Sequence, residues 1–539
     1  FVSIKNYIFT TQYASMKQSI FYLLTFCFLL FWSSCRNDFD FTASEGALRF
    51  SKDTVYLDTV FTNIGSSTYT LKVYNTSDDN ILIPKIKLQN GPNSNYRLNV
   101  DGMTGDIPLS GNEFTDVELL AKDSMYVFIE TTIDIQDLVS NDVQYLYTDA
   151  IEFGQTNVQT VELVTLVKDA VFIYPQQITD SGGTTVIETL NFDVDGDGFS
   201  DETNLQGRFL ENDELTFTNE KPYVIYGFAA VGDGQTLTID AGARLHFHSN
   251  SGLLVTNNAS VHANGLPSLD AEVMENEIIL EGHRLEPGFS EVPGQWETIW
   301  LYSGSTDNKF NHTTIKNSKI GILTDGNQDD FSKLLITNTQ IYNASLYGIL
   351  GRATNIKAEN LVINKTGFSS FAATFGGNYD VVHATIANYW TNGFRQLPAL
   401  FLNNFTTDAE ENTIPNALVS ANFTNCIIYG NDNPELLLEN SSEAGFDINF
   451  KNCLLRFSDP NNIFTSPYYN FQDSTLYENM IFNADPAFLD PSTNKMEIPL
   501  DSPAAGAGSN AGSLSTDLKG SPRPSPADLG ALNAIEFEN

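Results

Sequence analysis

The second half of the chain repeats itself with a period that few folds can accommodate. From about residue 220 onward, short apolar segments recur, and six of them are spaced 26, 22, 23, 42 and 27 residues apart. No helical periodicity separates them, and one strand per repeat is too little for a propeller blade or a βαβ unit. This spacing indicates a chain that winds once per repeat and stacks each coil on the one before it, so that stacking supplies the core.

Stacked coils place like residues above one another at the strand spacing of about 4.8 Å. The repeats share an aliphatic position, which predicts a buried aliphatic column: Ile315, Ile341, Ile363, Ile386, Ile428 and Leu455. Three positions earlier they carry Asn or His, which predicts a polar column at a bend: His312, Asn338, Asn360, His383, Asn425 and Asn452. We expect the Asn amides to pair along this column and to satisfy backbone groups that the turns leave open.

These repeats resemble the right-handed parallel β-helix family, the pectin-lyase-like fold shared with pectate lyases. Segments 223–227 and 252–255 are similar to its first coils, and 294–300 is similar to a segment that recurs further along. Segments within 485–531 resemble the closing cap of bacterial β-helix repeat proteins. The resemblance covers about 220–535 and implies a β-helix with a C-terminal cap over that range.

The N-terminal residues have the features of an export signal. An apolar run at 20–32 is 13 residues long, which is short for a membrane-spanning helix and typical of a signal-peptide core. Ser33 and Ser34 precede Cys35, and this order resembles the lipobox of bacterial lipoproteins, in which the Cys is diacylated. The acidic residues after Cys35 resemble the export tag of surface lipoproteins in the Bacteroidetes group.

We therefore predict a signal peptide at 1–34, with the true start at Met16, followed by a lipid-anchored tether at 35–45. This assignment implies a protein anchored in the bacterial outer membrane through Cys35 and facing the cell exterior. A plain cleaved signal with an incidental Cys is the alternative.

Residues 46–172 alternate apolar and polar side chains in short runs, the pattern of half-buried strands. Examples are 53–62, 68–75 and 81–88, which are separated by segments rich in turn-forming residues. The stretch 60–77 resembles the immunoglobulin-like modules at the base of bacterial surface proteins. We predict an immunoglobulin-like β-sandwich that serves as a spacer.

An acidic loop lies in the predicted linker, 173–219. Its carboxylates alternate with other residues, and Gly stands where the chain turns: Asp193, Asp195, Asp197, Asp201 and Glu202. Several oxygen ligands on a tight loop suit Ca²⁺, and the order matches the first half of an EF-hand loop. Asn204 stands where that loop has its bidentate Glu, and Glu202 is the nearest substitute. Two interpretations remain open, a Ca²⁺ site and a solvated acidic turn.

The predicted β-helix lacks the motifs that catalysis on this fold needs. Lyases need a carboxylate cluster beside Arg or Lys, and hydrolases need two or three carboxylates around the scissile bond. No such set recurs at coil spacing, and Asp329 and Asp330 lie in a polar loop. Aromatic residues and Arg follow two of the repeats and suggest a glycan-binding flank: Tyr347, Arg352, Tyr389, Trp390 and Arg395. Packing of these residues within the protein is the alternative.

The charge narrows the possible partners. The chain has 67 acidic and 28 basic residues and a net charge of −39, which argues against binding nucleic acid. Only four Cys are present, and we expect Cys426 and Cys453 to be stacked reduced thiols, with a disulfide as the alternative.

We expect a non-enzymatic, lipid-anchored surface protein that binds polysaccharide or an envelope protein, with Ca²⁺ as the one cofactor considered. An extracellular polysaccharide lyase or glycoside hydrolase is the alternative.

Overall fold

The computed structural model describes residues 40–44, 46–105, 112–138, 143–179, 182–270, 272–326 and 333–537. Over these residues the chain forms 42 strands, six short 3₁₀ helices and no α-helix, so the predicted all-β class is confirmed. The predicted signal peptide and Cys35 lie outside the described residues. No helix in the described part is long and apolar enough to cross a membrane.

Contacts divide the chain into two units, of which the first comprises the described residues of Phe1–Leu57, Asn63–Asp137 and Leu146–Leu166. The strands in and at the edge of this unit are β1 Thr42–Ala43, β2 Leu48–Phe50, β3 Thr54–Phe61, β4 Tyr69–Asn75, β5 Ile81–Leu88, β6 Tyr96–Val100, β7 Glu113–Leu119, β8 Ser124–Thr131, β9 Gln144–Phe153 and β10 Gln159–Lys168. Two 3₁₀ helices, Gly91–Asn93 and Ile135–Asp137, connect them.

These strands form two sheets. One has the order β2-β4-β8-β6, and the other has the order β1-β5-β9-β10-β3 with β7 also on β5. Side chains alternate between core and solvent, as in β8, where Met125, Val127 and Ile129 are buried. The buried Tyr96 hydroxyl on β6 donates to Thr165 Oγ1 on β10 at 3.0 Å, so a hydrogen bond joins the two sheets.

The second unit contains a 26-stranded parallel sheet and three two-stranded sheets. Its strands are β11 Val171–Ile173, β12 Gln177–Thr179, β13 Thr185–Ile187, β14 Gly207–Phe209, β15 Thr216–Phe217, β16 Tyr223–Ile225, β17 Phe228–Val231, β18 Thr236–Asp240, β19 Arg244–Phe247, β20 Gly252–Val255, β21 Ser260–Asn264, β22 Ile278–Gly282, β23 Ile299–Leu301, β24 Asn308–Asn311, β25 Thr313–Lys316, β26 Ile320–Asp325, β27 Leu334–Ala344, β28 Tyr347–Thr366, β29 Ser369–Val382, β30 Thr385–Asn388, β31 Leu400–Asn403, β32 Phe405–Thr407, β33 Thr413–Pro415, β34 Leu418–Thr424, β35 Ile427–Gly430, β36 Leu436–Glu439, β37 Phe446–Lys451, β38 Leu454–Leu455, β39 Tyr477–Glu478, β40 Ile481–Phe482, β41 Ile498–Pro499 and β42 Ala534–Ile535. Its 3₁₀ helices are Asn212–Glu214, Pro287–Phe289, Pro467–Tyr469 and Pro491–Thr493.

Most strands of the large sheet pair in parallel with the strand three places later, as β16 does with β19 and β19 with β22. The chain therefore returns to the same ladder after every third strand, and a continuous apolar core lies inside these coils. The sheet begins before residue 220. β11, at the boundary of the predicted sandwich and linker, and β14 and β15, within the predicted linker, already pair with β16, β17 and β18. These early strands are two or three residues long, which is too short to show a repeat in the sequence.

The predicted aliphatic column is confirmed. Ile315, Ile341, Ile363, Ile386, Ile428 and Leu455 are paired in sequence along one ladder, and all are fully buried. Five Ile side chains and one Leu stack in this column because each lies one strand spacing from the next. Cys426 and Cys453 are buried free thiols that directly precede β35 and β38, the last two strands of this column.

The predicted polar column is confirmed as well, and it has a backbone cause. All six members have a positive φ between 42° and 55°, the left-handed conformation that Asn tolerates better than most residues. Asn360 Nδ2 donates to Asn338 Oδ1 at 2.9 Å, and Asn425 Nδ2 bonds His383 Nε2 at 3.1 Å. The residues of this column therefore adopt the left-handed bend of each coil and also form hydrogen bonds with one another between coils.

His383 in this column makes stability depend on pH. Burial, with Arg523 nearby, lowers the pKa of His383 to about 3. The unfolded chain has a His pKa near 6.5, so between these values the unfolded state binds a proton that the folded state does not, and stability falls as pH decreases. We expect His383 to account for about 2 kcal/mol of stability loss between pH 7 and pH 5.

The variant His383→Asn keeps a residue suited to the column but cannot titrate. Urea unfolding at pH 7 and pH 5 measures the free energy of unfolding. Between these pH values the variant should lose about 2 kcal/mol less of it than the wild type does. Equal losses in the two proteins would contradict the assignment.

The C-terminal segment lies along the flank of the sheet. Leu518, Leu529 and Leu532 pack on the outward residues Val362 and Ile427 of the ladder that carries the aliphatic column. The end of the core beside the last strands is packed instead by aromatic residues of a preceding segment: Phe457, Phe464, Tyr469, Phe471 and Tyr477. The segment that resembled a closing cap therefore covers a side of the coils.

Candidate functional site

A column of apolar side chains lies on the outer face of the ladder that contains β20, β23, β26, β28, β29, β31 and β36. Its members are paired in register from coil to coil: Leu254, Trp300, Leu323, Leu350, Ala372, Phe401 and Leu437. Their neighbours Ile299 and Leu301 point into the core, so alternation turns Trp300 outward. Leu254 and Ala372 are fully buried, whereas Trp300, Leu350 and Leu437 are half-buried, so the column is open to a ligand only in part.

A groove of about 540 Å³ opens over this column. Its apolar wall includes Phe228, Trp300, Ile320, Leu323 and Leu346. Glu297 and Lys319 also line it, and their side chains form an ion pair with each other. This volume is within the usual range for small-molecule sites, which combine apolar walls with a few polar groups.

Polar groups beside the groove are held in one network. Trp300 Nε1 donates to Asp325 Oδ2 at 2.7 Å, and Arg352 donates from Nε and Nη2 to the same carboxylate at 2.5 and 2.6 Å. These hydrogen bonds raise the pKa of Arg352 above its usual value. The Tyr302 ring lies edge-on to Trp300, with centroids 5.3 Å apart. The indole is thus fixed in orientation while its ring borders the groove.

Two further aromatic contacts occur at the bend that leads into the same ladder. Tyr347, whose pKa is raised by burial, lies edge-on to Phe368 at 5.5 Å. A Cβ atom at Gly367 would lie 3.3 Å from Trp390 Cζ2, so the Trp390 ring packs over the bare Gly367 backbone. Tyr347 and Trp390, two of the predicted glycan contacts, are therefore half-buried and lie two coils apart.

The structure separates the other predicted contacts from this surface. Arg395 is buried and donates to Asp432 and Glu435 at 2.9 and 2.7 Å. Tyr389 packs edge-on against Phe488 of the C-terminal segment, and burial raises its pKa. Packing within the protein accounts for both residues, so neither belongs to the surface that contains Trp300.

The acidic loop lies beside the same ladder. Asp193, Asp195 and Asp197 each offer a carboxylate oxygen, and these oxygens lie within 4.8 Å of one another. Asp201 accepts the backbone N–H of Val194 at 2.9 Å and thereby closes the loop, whereas no contact of Glu202 with the triad is seen among the described residues. Tyr302 donates to the Val194 carbonyl at 2.9 Å, so the loop is joined to the side of the groove.

Sequence reasoning missed Trp300, Tyr302 and Asp325. The signal was present, because Trp300 follows an inward Ile in a strand and must face outward. What the sequence does not show is the support of the indole. Asp325 bonds Trp300 and Arg352 bonds Asp325, and these residues lie 25 and 52 positions after Trp300, so only the register of the coils brings them together.

Comparison with known proteins leaves the family open. No protein-family model matches the chain, and no curated protein matches it. One similar solved structure is a family 123 glycoside hydrolase from Clostridium perfringens, with 8% identity and a TM-score of 0.17 over 23% of this chain. This chain spans 30% of the length of that protein.

Another is a GH87 alpha-1,3-glucanase from Streptomyces thermodiastaticus, with 10% identity and a TM-score of 0.18 over 71% of this chain and 83% of that one. A third is the periplasmic chaperone SfaE, with 16% identity and a TM-score of 0.15 over 23% of this chain and 57% of that one. TM-scores this low support no argument about fold or activity.

Proposed function

We propose that this protein is a non-enzymatic glycan-binding protein and that the groove at Trp300 is its binding site. The observation that carries the proposal is the fixed indole: Trp300 borders an apolar groove and is held by Asp325, which Arg352 holds in turn. An aromatic face stacks on the apolar face of a sugar ring, and charged groups beside it bond the hydroxyls. A rigid ring loses little entropy on binding.

The binding surface extends along the coils beyond Trp300. Tyr347, Phe368 and Trp390 lie at successive bends that lead into the same ladder. Trp390 lies four coils from Trp300, which corresponds to about 19 Å at the strand spacing of about 4.8 Å. A ligand that contacts both rings is therefore an oligosaccharide or a longer chain rather than a single sugar.

Binding without cleavage agrees with the state of the carboxylates at the groove. A general acid for glycoside hydrolysis needs a raised pKa, and its partner carboxylate needs access to the sugar. Here Glu297 is paired with Lys319, and Asp325 is paired with Arg352. Each of these carboxylates is engaged by its own cation, so neither is free to act on a bound sugar without breaking an ion pair.

A glycan array combined with product analysis tests this function. We expect retention of one or more glycans with no change in their length after prolonged incubation. Shortened or unsaturated products would overturn the proposal in favour of a hydrolase or a lyase. Absence of binding to any polysaccharide would overturn it in favour of a protein-docking role.

We infer a right-handed parallel β-helix for the second unit and an immunoglobulin-like sandwich for the first. The pairing of most strands with the strand three places later supports the helix. The hydrogen bond of Tyr96 to Thr165 across the two sheets, and the ring contact of Phe50 with Phe153 at 4.8 Å, support the sandwich. The first unit would serve as a spacer.

We further propose that the protein is a surface lipoprotein of the Bacteroidetes type, anchored in the outer membrane through Cys35. The lipobox-like sequence and the acidic residues after it support this proposal. Replacing Cys35 by Ala in the full chain should abolish incorporation of a labelled fatty acid and release the protein from the membrane fraction. Undiminished labelling of the variant would show that Cys35 is not the lipidation site.

The Asp triad is proposed as a weak Ca²⁺ site. With the affinities of about 10⁻⁴–10⁻³ M found in extracellular modules, 10 mM Ca²⁺ should stabilise the folded state by about 1.4–2.7 kcal/mol. We expect a melting temperature several degrees higher in Ca²⁺ than in chelator, and no such difference for Asp195→Asn. If wild type and variant melt alike in both buffers, the loop is a solvated acidic turn.

A further inference from the structure

A second cavity, of about 580 Å³, lies on a different side of the coils from the groove at Trp300. Three segments enclose it: the loop that precedes β22, the outer face of β27, and the C-terminal segment. Its apolar lining includes Met274, Leu518 and Leu532, and its polar lining includes Glu277 and Glu497. The size and the mixture of walls fit a small organic ligand.

Glu497 in this cavity has an unmet hydrogen-bonding requirement. The residue is only 9% exposed, and its Oε1 accepts Lys519 Nζ at 2.6 Å. Its Oε2 is buried and has no hydrogen-bond partner among the described residues. A buried carboxylate oxygen without a donor is costly, and native proteins satisfy most such atoms. The missing donor can be supplied by a ligand.

Glu277 adds a second carboxylate that lacks a cation of its own. Its Oε2 accepts Thr314 Oγ1 at 3.2 Å, and burial raises the pKa of Glu277. The guanidinium of the neighbouring Arg244 donates to the backbone carbonyls of Met274 and Glu277, both at 2.6 Å, and so anchors the loop. Lys519 is occupied by Glu497. The cavity lining has three carboxylates, those of Glu272, Glu277 and Glu497, and two ammonium groups, those of Lys495 and Lys519, so its own cations leave one negative charge unmatched.

We propose that this cavity binds a small ligand that carries a cationic amino group, such as an amino sugar, through Glu497 and Glu277. The ammonium group supplies the donor that Glu497 Oε2 lacks and the positive charge that both carboxylates favour. The apolar side chains contact the carbon skeleton. A neutral polyol supplies donors without the charge, and an anion is repelled.

Three sugars of similar size separate these cases, namely glucosamine, glucose and glucuronate. Isothermal titration of the mature protein in neutral buffer with about 0.15 M salt limits nonspecific attraction to the acidic surface. We expect glucosamine to bind at least about tenfold more tightly than glucose, and glucuronate not to bind. Equal binding of glucosamine and glucose, or no binding of glucosamine, would overturn the proposal.

Two variants locate the site. Glu497→Gln keeps the shape of the side chain and should weaken glucosamine binding about tenfold or more. Lys519→Met removes the cation that competes for Glu497, and because Lys519 is half-exposed, the fold should tolerate the change. This variant should bind glucosamine more tightly than the wild type, so weaker binding would contradict the proposal even if Glu497→Gln fails to fold.

Trp300→Ala is the control for the other site. It should leave glucosamine binding unchanged, because Trp300 does not line this cavity. If Trp300→Ala abolishes glucosamine binding, the amine binds in the groove and the second site does not exist. Failure of the glycan array, in contrast, would leave this result unaffected.

Discussion

Replacing Trp300 by Ala is expected to weaken glycan binding about ten- to hundredfold while the protein stays folded. A sugar stacked on the indole buries about 100 Å² of apolar surface, which is worth about 2.5 kcal/mol. The side chain is half-buried and packs against a small apolar cluster that includes Phe228 and Leu254, outside the continuous core, so its loss should lower the melting temperature without unfolding the protein. Titration with the glycan found on the array gives the affinity, and thermal melting confirms the fold.

Two matched variants sharpen this result. Trp300→Phe keeps an aromatic face but cannot donate to Asp325, so it should retain part of the affinity. Trp390→Ala should weaken only ligands long enough to reach four coils along the ladder. A normal affinity of Trp300→Ala would exclude the groove as the binding site, and early melting of Trp390→Ala would show that Trp390 belongs to the packed interior.

Replacing Arg395 by Met is expected to destabilise the second unit by about 3–5 kcal/mol. Arg395 is the cation that pairs with Glu435, which is fully buried and also accepts the Ala399 N–H at 2.8 Å. Without Arg395, the charge of Glu435 stays in the interior with no opposite charge beside it. Urea unfolding at pH 7, compared with the wild type, measures the loss.

The double variant Arg395→Met/Glu435→Gln should regain at least half of that stability, because it removes the buried charge itself. Burial already raises the pKa of Glu435, and removing Arg395 raises it further. A raised carboxyl pKa means that the folded state binds a proton more readily than the unfolded state, so the deficit of the single variant should shrink as pH decreases from 7 to 5. A deficit that is independent of pH would argue against a buried charge as its cause.

The columns could be read from the sequence because their cause is local and periodic. Asn338 and Asn360 need a left-handed bend at the same place in each coil, and Ile341 and Ile363 follow at a constant offset into the core. Each coil meets the same geometric requirement, so the same residue types recur. The strands of the large sheet that precede residue 220 are only two or three residues long, so they show no periodic signal in the sequence.

The candidate sites were harder to predict because their residues do not recur. In the sequence, Tyr389 and Arg395 follow the Ile386 repeat just as Tyr347 and Arg352 follow the Ile341 repeat. In the structure, however, Tyr389 packs against Phe488 and Arg395 pairs with Glu435. The difference is made by polar and apolar residues from later parts of the chain, which cover one flank and leave the other open. The distance of a residue from the aliphatic column shows which coil it belongs to, but it does not show which later segment covers that coil.

The sequence by itself determined the all-β class, the coil period, and which side chains form the aliphatic and polar columns. Each of these follows from a pattern that repeats along the chain, and backbone geometry alone translates such a pattern into structure. The tertiary structure alone decided that Trp300 meets Asp325 and Arg352 and that Glu497 comes to lie in the same cavity as Glu277. These contacts join residues separated by 25 to 220 positions, so only the register of the coils and the path of the C-terminal segment bring them together.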